Sequence, residues 1–535
     1  MASQDNQTAW PPLNLAPIID RMALWSAWYS GSDDELAYAY GGQIGSKPIS
    51  QTFFSTPGWT GGVNAKTFWG EPIPAGERRS KLHVPLAGDI AATSANLLFA
   101  EPPRFLVTDT ATQDVLDELV DEGVHATLRE AAEICSAMGG VYLHVCWNQA
   151  LNPDRAWISI AHPDCAVPEW QSGYLTACTF WKVIGTDGDT VVRHLERHEP
   201  GRIIHTVHVG SNNDLGDKAD LTDFEATAGY ADLCDEAGGI DTGVQAMTAV
   251  YIPNQKPNRL WRHIPGSANL GRSDYAGSEP LMDKLDEAWS SWMRDLEIAK
   301  GRLFIDQMLL ESKGKGQGAT FSLDRELFVP MDIPGAGNGA DPIRAIQLAL
   351  RVQEHADTCK SLTEQIIRGA GYSLQTFGMA VSDGTSKPTA TEINARERQT
   401  ITTRNNKIVY WKQGLAALVE ALLQVQQTIF GVRVTPQKPT IEFPDMVSQD
   451  QQAIANSIQM LRAAGALSVR EAVKMAHSDW LDDQIDEEVQ RIEDEKPSPP
   501  PTAPATAPGP AVPGQAPADP QNAPVPGQEP VPQGQ

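Results

Sequence analysis

The chain has 535 residues, enough for two or three packed units, and 41% of them are hydrophobic, enough for real cores. Its 68 acidic and 42 basic residues leave a formal net charge of −26, which opposes the phosphate neutralisation that tight, non-specific DNA binding needs. The cysteines (135, 146, 165, 178, 234 and 359) form no paired framework and no run of about 18 uncharged apolar residues occurs, so a reduced cytosolic origin fits and a membrane span is not expected.

The opening, MASQDNQTAWPPLN, lacks the basic-then-apolar order of a signal peptide. PLAGDIAATSANLLFAEPPRF (85–105) puts Ile90, Ala91, Ser94, Leu97 and Leu98 on one helical face, closed by Pro102 and Pro103. Residues 114–140 read as two helices. GGVYLHVCWN (139–148) alternates as a strand does, and RAWISIAHPDCAVPEW, YLTACTFWKVIG and VVRHLERHEPGRIIHTVHVG extend the β character.

The second half turns helical. SEPLMDKLDEAWSSWMRDLEIAKGRLFI (278–305) aligns Leu281, Leu285, Trp289, Trp292, Leu296 and Leu303 in one stripe, with Ser278 as N-cap and Pro280 in the first turn. A Gly/Lys-rich insert of short strands and turns follows. Asp341-Pro342 then starts a second helix, to be stopped by Gly369 and Gly371. After a polar loop, Thr389 and Glu392 make a capping box at the head of a helix running to Phe430, with Gly431 as C-cap. Residues 448–495 form a small helical region, turned at Ala463-Ala464-Gly465 and capped again by Ser468 with Glu471. From Lys496 prolines crowd the chain, as in a disordered or polyproline-II tail.

Signatures of catalysis are missing. GTSKPTA lacks the spacing of a phosphate-binding P-loop, and Pro388 sits where backbone N–H groups are needed. G-x-S-x-G and H-E-x-x-H do not occur, nor does G-x-G-x-x-G in a strand–turn–helix context. His144, Cys146, His162 and Cys165 come nearest to a metal site, but their spacing fits no standard zinc motif; Cys146 as a core residue and 162–164 as a turn is the plainer reading. Neither a metal nor another cofactor is expected, and the chain does not read as an enzyme.

YIPNQKPNRLWR (251–262), G-R-S-D-Y (271–275) and L-x-x-x-W-x-x-W-x-x-D (285–295) stand between an α+β region and the helical half. These stretches, in that order of parts, resemble the portal protein (head-to-tail connector) of tailed double-stranded DNA bacteriophages, siphophage or actinophage type, over about residues 20–495. The resemblance implies an α+β portal fold. Its parts would be a wing (1–277), a first stem helix (278–303), a clip (304–341), a second stem helix (342–368), a tunnel loop with a long wing helix (369–447), a helical crown (448–495) and a Pro-rich tail (496–535).

It further implies a homo-dodecameric ring at one capsid vertex of the virion, nucleating procapsid assembly. Double-stranded DNA would pass through without sequence specificity, packaged by terminase and later ejected. Partners would be the terminase large subunit, head-completion or adaptor proteins, and major capsid and scaffolding proteins. Ser382, Asp383, Gly384, Thr385, Ser386 and Lys387 would face DNA, Lys313 and Lys315 would meet partners at the clip, and Trp289 and Trp292 would pack against neighbouring subunits. A DNA-processing enzyme would need a carboxylate cluster or a P-loop; a minor head protein would need no pair of long helices around a strand insert.

Overall fold

The computed structural model describes residues 9–41, 67–71, 80–149, 151–235, 238–264, 266–299, 302–305, 311–312, 319–320, 343–346, 349–379, 390–444, 451–477 and 482–494. They fall in two compact units, Met1–Met446 and Val447–Gln535.

The first unit opens with α1 (Ala16–Ser30) and α2 (Asp33–Gly41), which bury Trp25, Trp28 and Leu36. In α3 (Leu86–Phe99), Ile90, Ala91, Ser94 and Leu98 face inward, as the helical spacing predicts. After β1 (Arg104–Leu106) come α4 (Thr110–Asp121), where Asp109 accepts the Thr112 N–H at 3.0 Å as N-cap, and α5 (Val124–Met138). These are the two helices expected over 114–140.

The β region runs through β2 (Gly140–Cys146), β3 (Trp157–Ala161), β4 (Ala166–Gln171), β5 (Tyr174–Asp187), β6 (Thr190–Glu199), β7 (Arg202–Ser211) and β8 (Asp214–Ala219). It closes with α6 (Glu225–Ala231), β9 (Gly239–Asp241) and β10 (Ala249–Pro253). Antiparallel pairing gives two sheets, one ordered β10-β2-β3 and one ordered β4-β5-β6-β7-β8 with β9 also on β7. Between them Tyr142, Cys178, Phe180 and Ala249 form a small core.

Next stand α7 (Glu279–Ile298), β11 (Arg302–Ile305), β12 (Glu311–Ser312), β13 (Ala319–Thr320), β14 (Ile343–Ile346) and α8 (Val352–Ala370). Two expectations are corrected here. The first helix stops at Ile298, so Leu303 lies in a strand, and the second begins at Val352, not at Pro342. The physical reason is pairing: RLFI and IRAI make an antiparallel ladder, Arg302 opposite Ile346 and Ile305 opposite Ile343, which overrides the Asp-Pro start signal.

The helix α9 (Ala390–Thr428) has 39 residues and spans ~58 Å at 1.5 Å per residue. Its second half is the spine of the main core: Trp411, Leu415, Leu418, Val419, Leu422 and Val425 are all buried. β15 (Thr440–Glu442) then pairs with β1. The second unit holds α10 (Gln451–Ala463), α11 (Val469–Ala476) and α12 (Asp482–Asp494). The expected cap of α11 is present, with the Ser468 hydroxyl accepting the Glu471 N–H at 3.2 Å. No helix among the described residues is long and apolar enough to cross a membrane.

Candidate functional site

α7 and α8 form an antiparallel hairpin. The Asp295 carboxylate near the end of α7 meets His355 Nε2 at 2.9 Å and Arg351 at 2.6 Å at the start of α8. At the other end, a side chain at Gly369 would come within 3.1 Å of the Ser278 hydroxyl. Hydrogen bonds from His355 and Arg351 hold the Asp295 carboxyl below its ordinary value. Trp289 and Trp292 stack at 5.0 Å, and Trp292 lies nearly parallel to the His355 ring at 6.0 Å. The tryptophans therefore have a partner within the chain and are half-buried. The L-x-x-x-W-x-x-W-x-x-D stretch is the seam of the hairpin.

The opposite face of α7 carries carboxylates that look solvated in the sequence and are not. Glu279 accepts from Trp25 Nε1 at 2.9 Å, and Asp283 from the Phe68 N–H at 3.0 Å. Asp286 accepts from Trp69 Nε1 at 2.9 Å and the Val84 N–H at 2.8 Å. Spaced by four and three residues, they share one face and fasten α7 to segments some 200 positions away in the chain. Ser278 occupies the N-cap position without capping through its side chain.

The root of the hairpin is a buried charge pair. Asp274 in G-R-S-D-Y receives the Lys407 ammonium of α9 at 2.5 Å, and Lys407 also reaches Ser94 at 2.6 Å and Tyr372 at 3.0 Å. Asp274 further accepts from Ser136 at 2.6 Å, Asn254 at 2.8 Å, Gln255 at 3.0 Å and Tyr372 at 2.8 Å. Burial alone would raise its carboxyl, but the Lys407 charge and these donors outweigh it and hold it low. Gly271 and Gly139 make the close approach possible: a Cβ on Gly271 would lie 2.2 Å from the Gly139 carbonyl oxygen. Asn254, Gln255 and Asn258 come from YIPNQKPNRLWR, and Asn258 donates to the Gly271 carbonyl at 2.7 Å. The two sequence stretches thus converge on one hub, a role their composition alone does not disclose.

Ser382, Asp383, Gly384, Thr385, Ser386 and Lys387 lie outside the described residues, as do Lys313 and Lys315, which in sequence fall between the paired strands β12 and β13. The base of the polar loop is described. Thr400 on α9 accepts the Ser373 N–H at 2.8 Å and meets the Thr376 hydroxyl at 2.8 Å, while Thr403 donates to the Gly371 carbonyl at 2.6 Å.

The four residues weighed as a metal site separate. His144 and Cys146 are neighbours on β2, 3.4 Å apart, but 163–165 is a short 3-10 turn and Cys165 packs beside Trp181 and Leu195. The plainer reading of 162–164 is therefore correct. His144 instead faces Glu196 and His198 of β6, a grouping whose period-two signal, H-x-E-x-H (194–198), sequence reasoning passed over. Burial pushes His144 down to about 4, so its imidazole is neutral near pH 7.

Hairpin, hub and long helix together form a structural framework in which α7, α8 and α9 meet at one buried charge pair. The chain belongs to the SPP1 Gp6-like phage portal protein family, whose model matches residues 64–498. Among solved structures it is similar to a chain in the neck of an empty GTA particle computed with C6 symmetry, at TM-score 0.40 and 15% identity, covering 74% of this chain and 90% of that one. It is also similar to a chain in the virion of a native gene transfer agent particle, at TM-score 0.37 and 13% identity, covering 73% of this chain and 89% of that one. No curated protein matches significantly.

Proposed function

We propose that this chain is the repeating subunit of a twelvefold portal ring at one capsid vertex of a phage virion. Double-stranded DNA is packaged through that ring by a terminase and later ejected. The observation that carries the reading is the antiparallel α7–α8 hairpin, prolonged by the β11–β14 ladder and followed by the 39-residue α9, inside a family-matched span. On this reading residues 1–277 are the wing, the hairpin the stem, the strand-bearing insert the clip, α9 the wing helix and 448–495 the crown. With the observed strands, the clip extends to about 302–346. A net charge of −26 suits a channel wall that lets phosphate slide without gripping it.

Terminase and head-completion proteins would dock at the clip near Lys313 and Lys315, and capsid and scaffolding proteins would meet the ring as the procapsid nucleates. Electron microscopy of the purified full chain tests the core of this: closed rings with a central opening are expected, and light scattering that finds only 58 kDa monomers at every concentration refutes it. Deleting 382–387, the stretch proposed to face DNA, should leave rings intact and abolish genome retention. A phage with this deletion that fills and holds its DNA normally removes the loop from the mechanism.

A further inference from the structure

Between the two sheets lies a group of metal-ligand side chains that the portal reading does not use. Glu196 and His198 project from one face of β6, two residues apart, toward His144 and Cys146 of β2. The Glu196 carboxylate is 3.0 Å from His198 Nε2 and 3.8 Å from His144 Nδ1, and one ligand atom from each of the three lies within 4.8 Å of the others. Cys146 Sγ is 3.4 Å from the same His144 nitrogen. A tetrahedral zinc ion with bonds of about 2.0–2.3 Å separates its ligand atoms by roughly 3.3–3.6 Å. The separations of 3.0, 3.4 and 3.8 Å bracket that value, while the Cys146 thiol, which lies outside the three-residue group, has to turn toward Glu196 and His198 to join them.

Two further features fit a metal. His198 Nδ1 is 2.7 Å from the Thr248 hydroxyl, the kind of outer contact that orients an imidazole and leaves Nε2 for the ion. His198 is 0% exposed and His144 10%, whereas Glu196 is 22% exposed, so the group is enclosed but open on the carboxylate side. Phe180 floors it, 5.1 Å from the His144 ring and 5.3 Å from the His198 ring. Charge supports the same conclusion. The ion-pair partners of Glu196 among the described residues are imidazoles, since Arg197 points to Glu169 and Glu199 on the other side of the strand. The three side chains together offer an ion one carboxylate oxygen and two imidazole nitrogens, a donor set that suits zinc.

We propose that His144, Glu196 and His198 bind one divalent transition-metal ion of the zinc class, with the Cys146 thiolate completing the shell and Thr248 positioning His198. Mixed nitrogen, oxygen and sulfur ligands in a small tetrahedral space select zinc over calcium or magnesium. The ion would join β2 to β6 and so clamp the two sheets, independently of ring assembly.

The test uses the full-length protein purified without a polyhistidine tag. Stripped with a chelator, dialysed against Zn2+ and then against metal-free buffer, it should retain one zinc per chain. Zn2+ should also raise its unfolding temperature. Titration with Co2+ should give the ligand-field absorption of a tetrahedral site at one equivalent. Cys146→Ser should lose the thiolate-to-cobalt charge-transfer band, Glu196→Gln and His198→Ala should bind at least about 100-fold more weakly, and Thr248→Val roughly 10–100-fold more weakly. Folded wild-type protein that retains no zinc and shows no tetrahedral cobalt spectrum overturns the proposal without recourse to any variant. Undiminished binding by a folded Glu196→Gln or His198→Ala chain overturns it as well, and leaves the group as a buried histidine–glutamate hydrogen bond.

Discussion

Replacing Lys407 by Met keeps most of the side chain's length and removes its charge. In the wild type the ammonium is buried among Asp274, Ser94 and Tyr372 at 2.5–3.0 Å. Taking one partner from a buried pair costs about 3–5 kcal/mol, because the charge left behind is uncompensated. Asp274 would keep donors from Ser136, Asn254, Gln255 and Tyr372, which places the expected loss near the lower end, about 3 kcal/mol. Asp274→Asn leaves no buried anion, so the double variant should be less destabilised than the sum of the singles, by at least about 1.5 kcal/mol of coupling. The assay is unfolding of all four proteins at one protein concentration, since assembly shifts apparent stability by mass action.

The pH dependence has a definite sign. The folded carboxyl of Asp274 is held below the ordinary value, so its contribution is present above the unfolded value of about 3.9 and is lost as pH falls through the folded one. In Lys407→Met burial is no longer offset by the ammonium and raises this carboxyl, so the gap to wild type should be largest near pH 8 and narrow as pH falls and the variant's Asp274 takes up a proton. A Lys407→Met protein within about 0.5 kcal/mol of wild type, or singles that simply add, would refute the claim that this pair roots the hairpin.

Three further outcomes can be checked. Gly139→Ala forces a side chain into positive φ and to 3.0 Å from the backbone of 271–273, so it should cost at least about 1–2 kcal/mol in thermal unfolding; an unchanged midpoint would mean that the approach relaxes freely. Trp292→Ala removes the ring stacked between Trp289 and His355, and should cost about 2 kcal/mol and lower the ring population seen by light scattering, with wild-type assembly counting against the seam. Burial raises Asp20 to about 6, so its stabilising protonated form is complete below about 4 and lost as pH rises through 6; Asp20→Asn should raise the unfolding midpoint at pH 7–8 and not at pH 4.

Periodicity was enough to read α3 and α5, because each buries one helical face, whereas β2 was placed correctly although it is buried on both faces and does not alternate. It failed at 302–305 and 343–346, where two four-residue segments about forty positions apart settle each other's conformation by pairing. The carboxylates of α7 were illegible for a related reason. Nothing local distinguishes Asp286 from a solvated residue until Trp69 and Val84 arrive from far upstream with their N–H groups. G-R-S-D-Y was conspicuous as a motif, but its work as the acceptor for a lysine 133 positions away required coordinates.

The threonine contacts at the foot of the polar loop have a practical consequence. Thr400 and Thr403 tie Ser373, Thr376 and Gly371 to α9, so the two ends of the intervening chain are held together whatever lies between them. With the ends fixed, the closure-entropy part of lengthening the segment is about 0.6 kcal/mol for each doubling. The stretch 380–389 is therefore a suitable place to insert a short fluorophore-binding tag. Such an insertion would report on events at the loop while α8 and α9 keep their register, and its tolerance would measure how much of the staple's strength resides in three hydroxyl groups.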